Sequence, residues 1–201
     1  DQQPDAVEIK TTNGTVLRGA LLIAADGRAS TVRELLHLPI ISGSYGQTAI
    51  VANVTTENFH QNTAWQRFLS TGPLAFLPLS NGQSSIVWSV DTERAEELLP
   101  LSDTDFMQQL SEAFEFRLGQ VTACSERAGF ELNWHTAGRW LDGRVLLIGD
   151  AAHGVHPLAG QGVNLGFGDV ALLRSLLAPG QPVYRLRVLR QFERQRKAET
   201  M

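Results

Sequence analysis

Gly149-Asp150-Ala151-Ala152-His153-Gly154-Val155-His156-Pro157-Leu158-Ala159-Gly160-Gln161-Gly162-Val163-Asn164-Leu165-Gly166, closed three residues later by Asp169, is the stretch from which the fold is read. It follows Arg144-Val145-Leu146-Leu147-Ile148, a short apolar run of the kind that forms a strand buried on both faces of a parallel sheet. The strand ends in Gly-Asp, Pro157 stiffens the loop, and Gly160 and Gly162 bare the backbone before an apolar helix begins. Glycines let main-chain N–H groups approach a ligand closely, and the positive end of the helix favours negative charge there. An aspartate at the carboxyl end of a strand accepts hydrogen bonds from sugar-like hydroxyls, and open α/β sheets bind ligands at those ends. Asp150, His153 and His156 stand three apart, but Pro157 and the glycines argue against a helix there, so no metal is expected and His153 reads as a structural residue. The spacing Gly160-x-Gly162-x-x-x-Gly166 is not the dinucleotide fingerprint, and no Walker loop occurs. Residue types and spacing therefore predict a ligand-binding strand, loop and helix without naming the ligand.

Working outward, a second unit of the same kind stands near the start. Ala20 to Ala25 is another short apolar run, Asp26-Gly27 ends it, and a helix is expected from Ser30 to Leu36 with Ser30 or Thr31 as its cap. Before it, Val7-Glu8-Ile9-Lys10 and Val16-Leu17-Arg18 alternate around Asn13-Gly14 and predict a hairpin. Between these pieces, Thr48–Val54, Leu74–Leu79 and Ser85–Val90 predict β-strands, with Asn81-Gly82 as a hairpin turn. One helix is expected there, either from Thr92 to Leu98 or across Asp103 to Leu118. The expected organisation is an α/β piece over 1–40, an inserted, mostly antiparallel β-rich domain over 41–137, and the α/β piece again over 138–201.

The 201 residues carry 17 basic and 21 acidic side chains, a net −4, unevenly spread. Residues 174–201 hold seven basic against two acidic residues, or +5, leaving ten against nineteen, or −9, in residues 1–173. That balance argues against a nucleic-acid surface. Cys124 is the single cysteine and excludes an internal disulfide, and no apolar run approaches the ~20 residues of a membrane span. A soluble, cytoplasmic protein is expected. There is no initiator Met and the last residues stop inside a helical pattern, so the chain reads as a piece of a longer one.

The stretch from Gly149 to Asp169 resembles the Gly-Asp motif of the class A flavin-dependent aromatic hydroxylases related to p-hydroxybenzoate hydroxylase, and within them the ubiquinone-biosynthesis branch. Ala25-Asp26-Gly27-Arg28-Ala29-Ser30-Thr31-Val32-Arg33 independently resembles that family's Asp-Gly motif, which lies near the flavin pyrophosphate and the nicotinamide cofactor. The resemblance implies part of a Rossmann-like FAD-binding domain with an inserted substrate domain, the unit bearing G-x-G-x-x-G being absent. It further implies that Asp26, Gly27, Arg33, Asp150, Pro157, Gly160, Gln161, Gly162, Val163 and Asn164 bind FAD, with Asp150 on the ribityl chain, Pro157 close to the isoalloxazine and the segment Gly160–Asn164 donating to the pyrimidine edge. The chemistry implied is hydroxylation of a polyprenylphenol with NADPH or NADH and dioxygen through a flavin hydroperoxide. No side-chain base is singled out.

Two other readings stay open: a related hydroxylase of a small soluble aromatic, and a non-catalytic scaffold keeping the fold. Phe59, Trp65, Phe68, Phe76 and Trp88 could line an apolar channel, although aromatics in strands are more often core. The basic tail is either a solvated helix face or a surface drawn to anionic membrane, with Leu186, Leu189 and Phe192 as its buried stripe. Contact with a membrane surface or a biosynthetic complex, and self-association, are compatible with the sequence. Phe130-Glu131-Leu132 departs from the branch's Phe-Pro-Leu.

Overall fold

A computed structural model describes residues 1–155, 161–177, 180 and 182–200, with Gln161 described through its backbone. The chain divides into two units, one formed by Asp1–Gly43 with Asn133–Met201, the other by Ser44–Leu132. The divisions fall inside two long strands, β4 (Ile40–Thr56) and β9 (Ala128–Ala137), rather than at 40/41 and 137/138, because each strand runs on through the point where the contacts change.

The discontinuous unit opens with the expected hairpin, β1 (Val7–Lys10) on β2 (Val16–Gly19), whose loop turns at Gly14 with φ +86°. β3 (Leu22–Ala24) lies parallel to β11 (Val145–Leu147), which pairs antiparallel with β10 (Leu141–Asp142). The two apolar runs of the sequence are thus neighbours in one sheet of order β10-β11-β3. β11 is buried on both faces as expected; β3 is not, since Ile23 is 41% exposed on this edge strand. α1 (Thr31–Leu35) follows β3, and α4 (Gln161–Leu176) and α5 (Leu186–Thr200) complete the unit. Its core joins Trp140, Leu146, Leu147, Leu189 and Phe192. Leu189 and Phe192 are buried as the α5 pattern predicts, whereas Leu186 in the first turn is 39% exposed.

The inserted unit is an antiparallel sheet in the order β5 (Trp65–Leu69), β6 (Gly72–Pro78), β7 (Ser84–Asp91), β4, with β8 (Val121–Cys124) paired to the end of β4. Both helical alternatives form, α2 (Thr92–Leu98) and α3 (Asp103–Ala113). Ser102 caps α3 by accepting from the Asp105 N–H. α3 stops at Ala113, short of Leu118, as Glu115 and Phe116 take φ near +50°. Phe76 stacks on Phe114 and Trp88 tilts against Phe106, so these two aromatics are core of the unit. Phe59 and Phe68 are exposed, and Trp65 is partly covered by the Arg117 guanidinium. No helix among the described residues is long and apolar enough to cross a membrane.

Candidate functional site

At the carboxyl end of β11 the chain makes a single 3-10 turn, Gly149–Ala151, which Gly149 enters with φ +55°, a conformation costly for any residue with a Cβ. Three consecutive residues of this turn are each tied by a side chain from elsewhere. The Gly149 N–H donates to Asp169 Oδ2 (2.7 Å), the Asp150 carbonyl accepts from His135 Nε2 (2.8 Å), and the Ala151 carbonyl accepts from Arg33 Nη1 (2.9 Å). The Asp150 side chain is exposed and has no hydrogen-bond partner among the described residues.

Each tie has its own support. Asp169, in the middle of α4, is fully buried; besides Gly149 it takes His153 Nε2 (2.8 Å) and Arg196 Nε (2.6 Å), and Arg196 Nη2 reaches the Leu165 carbonyl. Burial alone would raise the Asp169 carboxyl, but the bonds from His153, Gly149 and Arg196 outweigh it and hold it below the usual carboxylate range. Gly168 leaves room for the Arg196 guanidinium, and His153 stacks on Trp140 with ring centres 4.9 Å apart. Part of the basic tail is therefore internally neutralised. Arg33, itself buried, also donates to the Arg28 carbonyl (2.6 Å). Ser30 caps α1 by accepting from the Arg33 N–H and donates to Asp26 Oδ1 (2.6 Å), while Asp26 Oδ2 accepts from the Val32 N–H. Burial raises the Asp26 carboxyl, and these bonds at the start of α1 together more than reverse it, leaving it lowered.

Two clefts flank Asp150. One, of about 290 Å³, is bordered by Arg28, Asn133, His135, Asp150 and Val163. The other, of about 440 Å³, is bordered by Gly27, Gly149, Asp150, Gly162 and Phe167. A Cβ built on Gly149, Gly27 or Gly162 would enter open space, so these glycines leave the cleft floor bare instead of packing against neighbours. Gly166 fits α4 against the turn, its Cβ direction meeting the Gly149 Cα at 3.7 Å. On the same face Val163 and Phe167 are 60% and 67% exposed.

Of the residues expected to bind a ligand, the structure brings Gly27, Asp150, Gly162 and Val163 together around these clefts. Gln161, Gly162, Val163 and Asn164 lie in the first turn of α4, not in a loop preceding it, and the first-turn N–H groups of a helix lack intrahelical acceptors. Asp26 and Arg33 are engaged within the protein, building α1 and bracing the turn. Pro157 and Gly160 fall outside the described residues. Sequence reasoning missed Arg28, Asn133 and His135 as cleft residues. For Asp169, a carboxylate inside an apolar helix was the available signal that a buried partner must exist.

A carboxylate acceptor without a partner, glycines that bare the cleft, and a helix N-terminus together suit a ligand with hydroxyls and an electron-rich or anionic edge. The model of the FAD binding domain family matches residues 1–196. The chain belongs to this FAD-binding family. Its cleft fits the ribityl hydroxyls and polar ring edge of that cofactor, and residues expected to bind FAD lie on it. Among relatives, the chain is 41% identical over 177 residues to ubiquinone hydroxylase UbiL of Rhodospirillum rubrum, covering 88% of this chain and 41% of the relative. It is 37% identical to 3-demethoxyubiquinol 3-hydroxylase of Escherichia coli, covering 86% and 44%. The membership read from the Asp26 and Asp150 motifs is thus borne out: this chain of the FAD binding domain family groups with the hydroxylases of ubiquinone biosynthesis. It spans less than half the length of these relatives. Among solved structures, Klebsiella pneumoniae HpxO complexed with FAD and uric acid matches with TM-score 0.74 at 22% identity, over all of this chain and 53% of that one. The Diels-Alderase PyrE3 matches equally well, TM-score 0.74 at 23% identity, over 100% and 44%. At such identities these two likenesses concern the fold, a mixed α/β architecture with an inserted antiparallel sheet.

Proposed function

We propose that the complete protein is an FAD-dependent hydroxylase acting on the aromatic ring of a polyprenylphenol-type intermediate of ubiquinone biosynthesis, with NADPH or NADH as reductant. The observation that carries this reading is the Asp150 carboxylate, exposed between two clefts and unpartnered among the described residues, while its own carbonyl and the backbone of Gly149 and Ala151 on either side are each held by a side chain. The names of the relatives supply the substrate class.

When bound, FAD would supply the redox chemistry: the two electrons of the nicotinamide hydride reduce dioxygen, one oxygen atom replacing a ring hydrogen of the phenol and the other leaving as water. The chain's own part is binding and orientation. Asp150 would accept from ribityl hydroxyls, and Gly27 and Gly149 allow close approach of the backbone. The N–H groups of Gly162, Val163 and Asn164 at the start of α4 would stabilise negative charge on the reduced ring. Arg28 beside the smaller cleft adds a cation where an anionic cofactor or co-substrate would lie.

The test is to purify the complete protein, measure bound flavin by absorbance, and follow NADPH and NADH oxidation with a prenylated and an unprenylated phenol. Bound FAD with oxidation and product formation on the prenylated phenol supports the reading. Protein without flavin, or a preference for the short phenol, overturns it, the latter in favour of a small soluble aromatic.

A further inference from the structure

We infer that His135 is a positioning residue of the cofactor site: as a neutral ring it holds the Asp150 carbonyl and thereby aims the Asp150 carboxylate into the clefts. The identity of the ligand rests on the FAD reading above; the positioning itself rests on geometry.

His135 lies on β9 and is 3% exposed. A carbonyl oxygen can only accept, so at 2.8 Å from Asp150 O the Nε2 atom must carry the proton. Nδ1 is then a bare acceptor, buried and without a hydrogen-bond partner among the described residues. A second proton on the ring would have no acceptor waiting for it, so the arrangement is built for the neutral form. Desolvation lowers the affinity of the ring for a proton, and Arg28 and Arg33 lower it further; the Asp150 carbonyl and carboxylate act in the opposite sense.

Gly154 shows that this ring position is specified. It is the β12 (His153–Gly154) partner of His135 across the β9 pairing, and the imidazole occupies the space a side chain would take: a Cβ there would stand 2.5 Å from Nδ1. Any larger residue at 154 must displace the ring. Gly149 and Ala151 are held by Asp169 and Arg33, but among the described residues His135 is the side chain that grips Asp150 itself, the residue that borders both clefts. Fixing a backbone carbonyl restricts ψ of that residue, and an orientation set before binding lowers the cost of ordering on binding.

The experiment compares His135→Leu, His135→Gln and Gly154→Ala with wild type in the complete flavoprotein, reading flavin affinity and hydrogen exchange at the Ala152 amide, which donates to the Gly149 carbonyl across the turn. Leu removes the donor, Gln supplies an N–H of similar reach, and Ala at 154 displaces a ring that is chemically intact. Expected are a flavin Kd raised about tenfold or more in His135→Leu and Gly154→Ala, recovery to within about threefold in His135→Gln, and faster Ala152 exchange in the first two alone. A His135→Leu protein that melts at lower temperature but keeps wild-type flavin affinity and Ala152 exchange overturns the proposal, because His135 is then core only. Wild-type protein that binds no flavin overturns the FAD reading instead. In that case the exchange measurement alone decides the positioning: faster in Leu and not in Gln supports it, and unchanged in Leu overturns it.

Discussion

Nη1 of Arg33 lies 2.9 Å from the carbonyl oxygen of Ala151, a residue 118 positions further along the chain. This bond joins the Asp-Gly motif to the Gly-Asp motif directly, the second Nη reaching the Arg28 carbonyl on its own side. Replacing Arg33 by Met leaves both carbonyls to find water or stay unpaired. The expected cost is about 1 to 3 kcal/mol of stability, measured by urea unfolding, together with weaker flavin retention.

Asp150→Ala separates binding from folding. The carboxylate is exposed and unpartnered among the described residues, so its removal should change stability by no more than about 0.5 kcal/mol. Flavin retained after gel filtration should fall sharply in the complete protein. A variant that keeps its full flavin complement would remove Asp150 from the site.

Asp169→Asn acts in the opposite way. Arg196 would lose its buried carboxylate partner while keeping the exposed Glu199, and His153 would lose a charged partner. A loss of about 3 to 5 kcal/mol is expected from breaking such a buried pair. Thermal melting checks it, and Asp169→Asn that melts like wild type would show the cluster to be energetically idle.

Acid should weaken the molecule in two steps of known sign. His135 is held below its ordinary value of 6.5, so the unfolded chain takes up the proton first; this contribution is complete above about pH 6.5 and declines as pH falls below it. Asp169 is held below its ordinary 3.8, so its contribution is present above that value and is lost as pH falls through the lower folded value. Melting temperatures between pH 8 and pH 3 should show both declines, His135→Gln removing the upper one and Asp169→Asn the lower.

Gly162→Ala should raise stability while impairing binding. Gly162 sits in the first turn of a helix and a Cβ there meets nothing among the described residues, so a gain of up to about 0.5 kcal/mol, part of the interior helix preference for alanine, is expected. That Cβ projects into the cleft, and flavin affinity should fall. A variant more stable and equally tight would show that the ligand does not approach this backbone.

Much of this arrangement was legible in the residues. The apolar runs ending at Ala25 and Ile148, each followed by a glycine-aspartate pair in one order or the other, marked two strand ends, and these proved to be parallel neighbours. Asp150 stood out because an aspartate at the carboxyl end of a strand is placed to accept hydrogen bonds from a ligand's hydroxyls. What could not be read was which of the two exposed aspartates keeps its carboxylate free of partners among the described residues. Asp26 has Ser30 and the start of α1 within reach, and only the folded geometry shows its oxygens turned onto them. His135 was invisible for a different reason. It is one polar residue on an alternating strand, and its function depends on a carbonyl 15 positions away and on the missing side chain at Gly154. The α3 boundary was misplaced because near-helical spacing continued through Leu118, while Glu115 and Phe116 had already left the helical region.

The division of one unit into two segments fixes a timetable for biosynthesis. Residues 44–132 are complete before any part of Asn133–Met201 exists, so the inserted unit has its whole sequence available while Asp26 and Arg33 still wait for their counterpart. At about 5 to 20 residues per second on the ribosome, the 118 residues between Arg33 and Ala151 take about 6 to 24 s to appear. Throughout that interval the Arg33 guanidinium has no Ala151 carbonyl to meet, and the Gly149–Ala151 turn it braces does not yet exist.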